Sequence, residues 1–131
     1  MDWNAFADFD NQLGSTKSAI NDAEAKLAWL LPADYKQFLE WKNGGEGFIG
    51  DNYLILWSAE ELGQFNLEYQ VEKYAPGLVL IGSNGGGEGF AFDTRQSPAP
   101  IIQVPFIGMD LEDTRVLASC FDEFIDFLAV Q

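Results

Sequence analysis

Five glycines fall within the eight residues Gly82 to Gly89. That density is the first place to look for chemistry, because glycine-rich loops cradle phosphates with their backbone N–H groups. A Walker-type loop needs a lysine and then a serine or threonine after its last glycine, and this loop continues Glu88-Gly89-Phe90 instead. A dinucleotide fingerprint needs a helix after the glycines, whereas the alternation Phe90-Ala91-Phe92-Asp93 predicts a strand. The anionic Glu88 would also repel a phosphate. The aliphatic run Leu78-Val79-Leu80-Ile81, a turn and an aromatic-bearing strand together predict a hairpin, with the glycines supplying positive φ.

Other chemistry is thin. The chain has no histidine, which removes the commonest general base and metal ligand and every Ser-His or Cys-His nucleophile pair. The one cysteine, Cys120, lies at a predicted helix start, but with apolar Phe121 beside it and no basic neighbour it is read as a packed core residue. Asp8, Asp10 and Asn11 hint at a calcium loop, yet Leu13 and Ala19 stand where its glycine and closing glutamate belong, so no metal is expected. Carboxylate pairs that hydrolyse glycosides need one acid in an apolar pocket and one in a wet one, an arrangement spacing does not indicate here. No cofactor is expected, and binding is favoured over catalysis.

Charge narrows the partners. With 21 acidic against 7 basic residues the formal net charge is −14, which argues against direct contact with nucleic acid or an anionic membrane and toward a basic protein. No apolar run is long enough to cross a bilayer. A single cysteine and an N-terminus, Met1-Asp2-Trp3-Asn4, without a basic region or apolar stretch predict a reducing, cytoplasmic setting.

The elements that must position these residues follow from periodicity. At 131 residues one domain is expected, with residues 1–14 a short helix or strapped-down arm. From Ser15 a helix is predicted, burying Ile20, Ala23, Leu27 and Leu30, capped by Ser15, Thr16 or Ser18 and broken at Pro32. A second, Ala33 to Lys42, buries Tyr35, Phe38 and Leu39, with Gly44 or Gly45 as its left-handed C-cap. Two strands flank the turn Gly50-Asp51-Asn52. Ser58 and Glu61 make a capping box for a short helix, and Asn66 to Gly77 reads as a polar connection. After the central hairpin come a strand at Ile101 to Val104, an acidic segment with Asp110, Glu112 and Asp113, a strand at Val116 to Ala118, and a helix capped by Ser119 with Phe121, Phe124, Ile125 and Leu128 inward. Short turns between strands, in place of crossover helices, predict an α+β fold: a mostly antiparallel sheet with N-terminal helices and a C-terminal helix packed on it.

Three stretches in this order resemble the SUKH superfamily, the SMI/KNR-type domain shared by a fungal cell-wall-assembly regulator and many bacterial toxin-immunity proteins. They are Leu31-Pro32-Ala33-Asp34-Tyr35-Lys36-Gln37-Phe38-Leu39 leading to Asn43-Gly44-Gly45, then Leu80-Ile81-Gly82-Ser83-Asn84-Gly85-Gly86-Gly87-Glu88, then the terminal helix with Phe121 and Phe124. The resemblance implies helices on an antiparallel sheet, used for binding: an immunity protein that neutralises a cognate toxin, frequently a nuclease, inside the producing cell. A scaffold or regulator unconnected with toxins is the alternative. A nuclease presents a basic groove, so acids are the expected contacts: Glu46 and Asp51 in the first turn region, Glu60 and Glu61 on the short helix, and Asp110, Glu112 and Asp113. Loop acids are favoured over helix acids, which also serve the helix dipole. Glu88 is expected either to hold the hairpin or to meet the partner.

Overall fold

The computed structural model describes residues 2–10 and 13–130. Asn11, and with it part of the discarded calcium pattern, lies outside them. A 3₁₀ turn at Trp3–Phe6 precedes α1 (Lys17–Leu27) and α2 (Ala33–Trp41); β1 (Gly45–Ile49) and β2 (Asn52–Leu56) follow. Then come α3 (Ala59–Glu68), α4 (Val71–Tyr74), β3 (Leu78–Ser83), β4 (Glu88–Asp93), β5 (Ile101–Pro105), β6 (Arg115–Ala118) and α5 (Phe121–Ala129). The strands form one sheet in the order β1-β2-β3-β4-β5-β6, each neighbour antiparallel. The α+β architecture expected from the sequence is the one observed.

The strand alternation that predicted β4 also sorts its neighbours. Phe90 meets Phe124 of α5 at 5.0 Å between ring centroids, and Phe92 meets Tyr35 of α2 at 5.4 Å and Trp29 at 5.3 Å. The opposite face, on which Gly89 sits, is covered by the Phe106 ring and the Leu80 side chain. Phe106 stacks on Tyr69 at 4.5 Å, and Tyr69 on Trp57 at 6.0 Å. Phe6 and Phe9 belong to the core, and Phe6 lies 5.0 Å from Phe38, so the segment that carries them is packed against α2.

Several boundaries differ from expectation for local reasons. Thr16 is the N-cap of α1, accepting from the Ala19 N–H at 3.1 Å. The helix stops at Leu27 because Ala28 turns left-handed, so Leu30 is exposed and Leu31 is buried in its stead. After α2, Lys42 is extended; Gly44 is left-handed not as a helix cap but because it crosses the end of β2, where an added Cβ would lie 2.6 Å from the Leu56 carbonyl oxygen. Residues 66–77 are not a polar connection, since α3 runs on to Glu68 and α4 follows. Cys120 is the N-cap of α5 and half-buried, outside the core cluster, with Ser119 one residue earlier bonded to Glu123.

Asn66 explains why α3 continues. β2 pairs with β3 only at Ile55↔Ser83 and Leu56↔Gly82, leaving the first half of β3 without a strand on that side. The Asn66 amide takes its place: Oδ1 accepts from the Leu80 N–H at 2.8 Å, and Nδ2 donates to the Leu80 carbonyl at 2.9 Å. Asn66→Ala would leave both groups unpartnered in a part-buried setting, and should cost about 3 kcal/mol by chemical denaturation, with faster exchange of the Leu80 amide. Tyr35 is the opposite case. It is fully buried, burial raises its phenol pKa far above the ordinary value, and its hydroxyl has no hydrogen-bond partner among the described residues. Tyr35→Phe should therefore leave stability unchanged or raise it by about 1 kcal/mol in the same measurement.

Candidate functional site

In an antiparallel meander every second connection falls at the same end of the sheet. The β1–β2, β3–β4 and β5–β6 connections thus share one end, and the α3–α4 segment and the β4–β5 turn share the other. This rule distributes the acids singled out in the sequence. Asp51 is exposed in the first turn; Glu88 is half-buried where the second turn enters β4, opposite Pro105; Asp110, Glu112 and Asp113 are exposed on the third. Ile107, on the same connection as Asp110, Glu112 and Asp113, is 94 % exposed. An exposed apolar side chain on an acidic loop is what the β5–β6 connection presents.

The second and third of these connections are held by short polar side chains. In the second, Asn84 Oδ1 accepts from the Gly86 N–H at 2.8 Å and the Glu88 N–H at 3.2 Å, while the Asn84 N–H donates to the Glu88 carbonyl at 3.1 Å. The Asn84 side chain, and not the Glu88 carboxylate, therefore makes the hairpin-closing side-chain bonds. Gly85 and Gly87 take the left-handed backbone. Gly82 has another reason: an added Cβ would lie 2.0 Å from the Ile55 carbonyl oxygen, so only glycine lets β2 approach. In the third loop Asp110 accepts from the Glu112 N–H at 2.9 Å, opening a 3₁₀ turn at Leu111–Asp113, with Met109 buried beneath.

The remaining candidates are elsewhere and have other work. Glu60 and Glu61 lie at the start of α3, at the far end of the sheet. Glu61 accepts from the Ser58 N–H at 2.9 Å, completing its half of the capping box. Asn43 donates to Glu60 at 2.8 Å and accepts from the Ala59 N–H at 2.8 Å, so the Asn-Gly-Gly stretch ties the end of α2 to the start of α3. Glu46 is exposed on β1, an outer strand, and accepts from the Tyr53 hydroxyl, a bond that raises the Tyr53 pKa. Its backbone pairs with Asp10, the Glu46 N–H reaching the Asp10 carboxylate at 2.9 Å and the Asp10 N–H the Glu46 carbonyl at 3.0 Å. Asp34, within the first signature, accepts from the Tyr35 N–H at 2.8 Å and the Asp122 N–H at 3.1 Å, joining α2 to α5. Ile107 escaped the sequence reading, because one isoleucine beside a proline-terminated strand has no periodic signal.

Among the described residues no group of three or more acids or cysteines is arranged to hold a metal ion, and no helix is long and apolar enough to cross a membrane. The class these features define is an α+β domain that offers loops on a six-stranded meander. The SMI1 / KNR4 family (SUKH-1) model matches residues 14–126, and the chain belongs to that family. It is also similar to a Bacillus subtilis (strain 168) protein named "Uncharacterized protein YnaB", at 34 % identity over 111 residues, which are 83 % of this chain and 72 % of that one. If Asn84 closes the central turn as its bonds indicate, Asn84→Ala should cost about 1 kcal/mol and speed amide exchange at Gly86 and Glu88 without moving Asn66 or Leu80.

Proposed function

We propose that this chain is an immunity protein, which acts by binding and not by catalysis, and neutralises a basic cognate toxin, a nuclease, inside the producing cell. The observation that carries the reading is that exposed Ile107 shares the β5–β6 connection with exposed Asp110, Glu112 and Asp113, at the end of the sheet that also carries Asp51. An apolar side chain at the centre of a charged rim is how protein interfaces are built: the centre contributes affinity once water is excluded, and the rim sets partner and on-rate. A net charge of −14 would draw in a protein whose nucleic-acid groove is cationic. Family membership supports the same reading, because SUKH domains are associated with immunity and binding.

Glu60, Glu61 and Glu46 are left out of the proposed interface, since the first two lie at the other end of the sheet and Glu46 lies on β1, outside the loops. The test is a basic effector domain encoded immediately upstream, purified and titrated with this chain. Asp110→Asn with Glu112→Gln and Asp113→Asn should weaken association roughly tenfold to a hundredfold at low salt and flatten its salt dependence. Ile107→Ala should slow nothing in association but speed dissociation, and Glu60→Gln should change neither. Absence of association at low salt would end the immunity reading. A housekeeping partner recovered with the same loop dependence and no toxic neighbour would place the chain on the regulatory side of its family.

A further inference from the structure

The end of the sheet away from the hairpin loops carries a surface of the opposite character. A groove of about 600 Å³ lies between the end of α1, the α3–α4 segment and the start of β3, with Trp29, Val71, Leu78 and Val79 among its lining. A second depression of about 570 Å³ adjoins it, and Ala28 and Trp29 line both. Apolar surface continues past them: Leu67, in the lining of the first, is 78 % exposed, and Leu30, in the lining of the second, is 77 % exposed. The two non-glycine residues with left-handed backbone among those described, Ala28 and Gln70, both line this groove. Such backbone is retained where the surrounding structure enforces it, and it collects at binding sites.

Charge inverts here as well. Of 7 basic residues in the chain, Lys26 and Lys73 stand in the lining, against one acid, Glu72. Nearby Arg95, whose stem packs on Gly77, is held by Asp93 through two bonds of 2.9 Å, so that pair adds no net charge. Glu24, in the second depression, lies 3.7 Å from Lys36 and accepts from the Leu31 N–H at 2.7 Å. The groove is therefore a locally cationic, apolar concavity on an acidic protein.

We propose that this groove docks an acidic, apolar segment of a protein partner, an extended stretch that sets one large apolar side chain in each depression and a carboxylate toward Lys26 and Lys73. Two depressions in series with exposed leucines at both make a longer apolar track than a small ligand covers, which selects a chain as the occupant. The surface goes beyond the immunity reading and does not depend on it, because it has the opposite charge preference and the opposite end of the sheet.

The experiment titrates the isotope-labelled full chain with a synthetic octapeptide alternating leucine and aspartate, and separately with its lysine-for-aspartate analogue, reading amide shifts. The leucine–aspartate peptide should move Ala28, Leu67 and Gln70, and Lys26→Glu with Lys73→Glu should weaken it at least roughly tenfold. Leu67→Ser should do the same, and Asp110→Asn should have no effect; all these positions are exposed, so the fold is not at stake. Equal binding of both peptides, shifts confined to other residues, or affinity unchanged by the charge reversal would overturn the proposal. So would concentration-dependent self-association lost in Leu67→Ser, which would assign the surface to a second copy.

Discussion

β2 and β3 meet over two residue pairs, Ile55↔Ser83 and Leu56↔Gly82, and the continuity of the six-stranded sheet depends on that seam. One further bond, from the Trp57 N–H to the Ile81 carbonyl at 2.9 Å, extends it before the chain leaves for α3. The seam is closed by two side-chain choices. Gly82 has no Cβ to strike the Ile55 carbonyl, and Asn66 supplies from a helix the donor and acceptor that a longer β2 would have given Leu80. Separate the β1–β2 hairpin from the four strands beyond it and Asp51 no longer shares an end with the other two loops.

Short polar side chains do comparable work at the other junctions. Asp34 joins the starts of α2 and α5, Asn43 joins α2 to α3, Asn84 closes the central turn, and Asp10 pairs with the backbone of β1 at Glu46. In each case a carboxylate or amide takes backbone N–H groups that a helix start, a turn or the outer strand β1 leaves unpartnered. The family signature containing Asn43 and the one containing Asn84 thus mark places where elements are tied together.

Two surfaces at opposite ends of the sheet differ in local charge. The loop end holds Asp51 on one connection and Asp110, Glu112 and Asp113 beside exposed Ile107 on another, while Lys26 and Lys73 line an apolar groove at the other end. A protein with this polarity has two faces of differing preference, and partner binding at one does not cover the other. Net charge alone describes only the first.

The amino-acid pattern by itself determined the α+β class, the two N-terminal helices, the central hairpin and the terminal helix. Each depends on local rules: periodicity near 3.6 for Ile20-Ala23-Leu27 and Tyr35-Phe38-Leu39, alternation for Phe90 and Phe92, and capping chemistry at Ser58 and Glu61. It also placed Asp51, Asp110, Glu112 and Asp113 on connections between strands, whereas Glu46, read into the first turn region, lies within β1. It misjudged Leu30, the extent of α3 and the cap of α5, because those outcomes turn on a left-handed alanine, a distant strand needing Asn66, and a serine engaged by Glu123. Which acids share an end, and that Glu60 and Glu46 are already bonded within the chain, was decided by tertiary structure alone: strand order and cross-chain hydrogen bonds join residues far apart in sequence, and no local pattern records those partners.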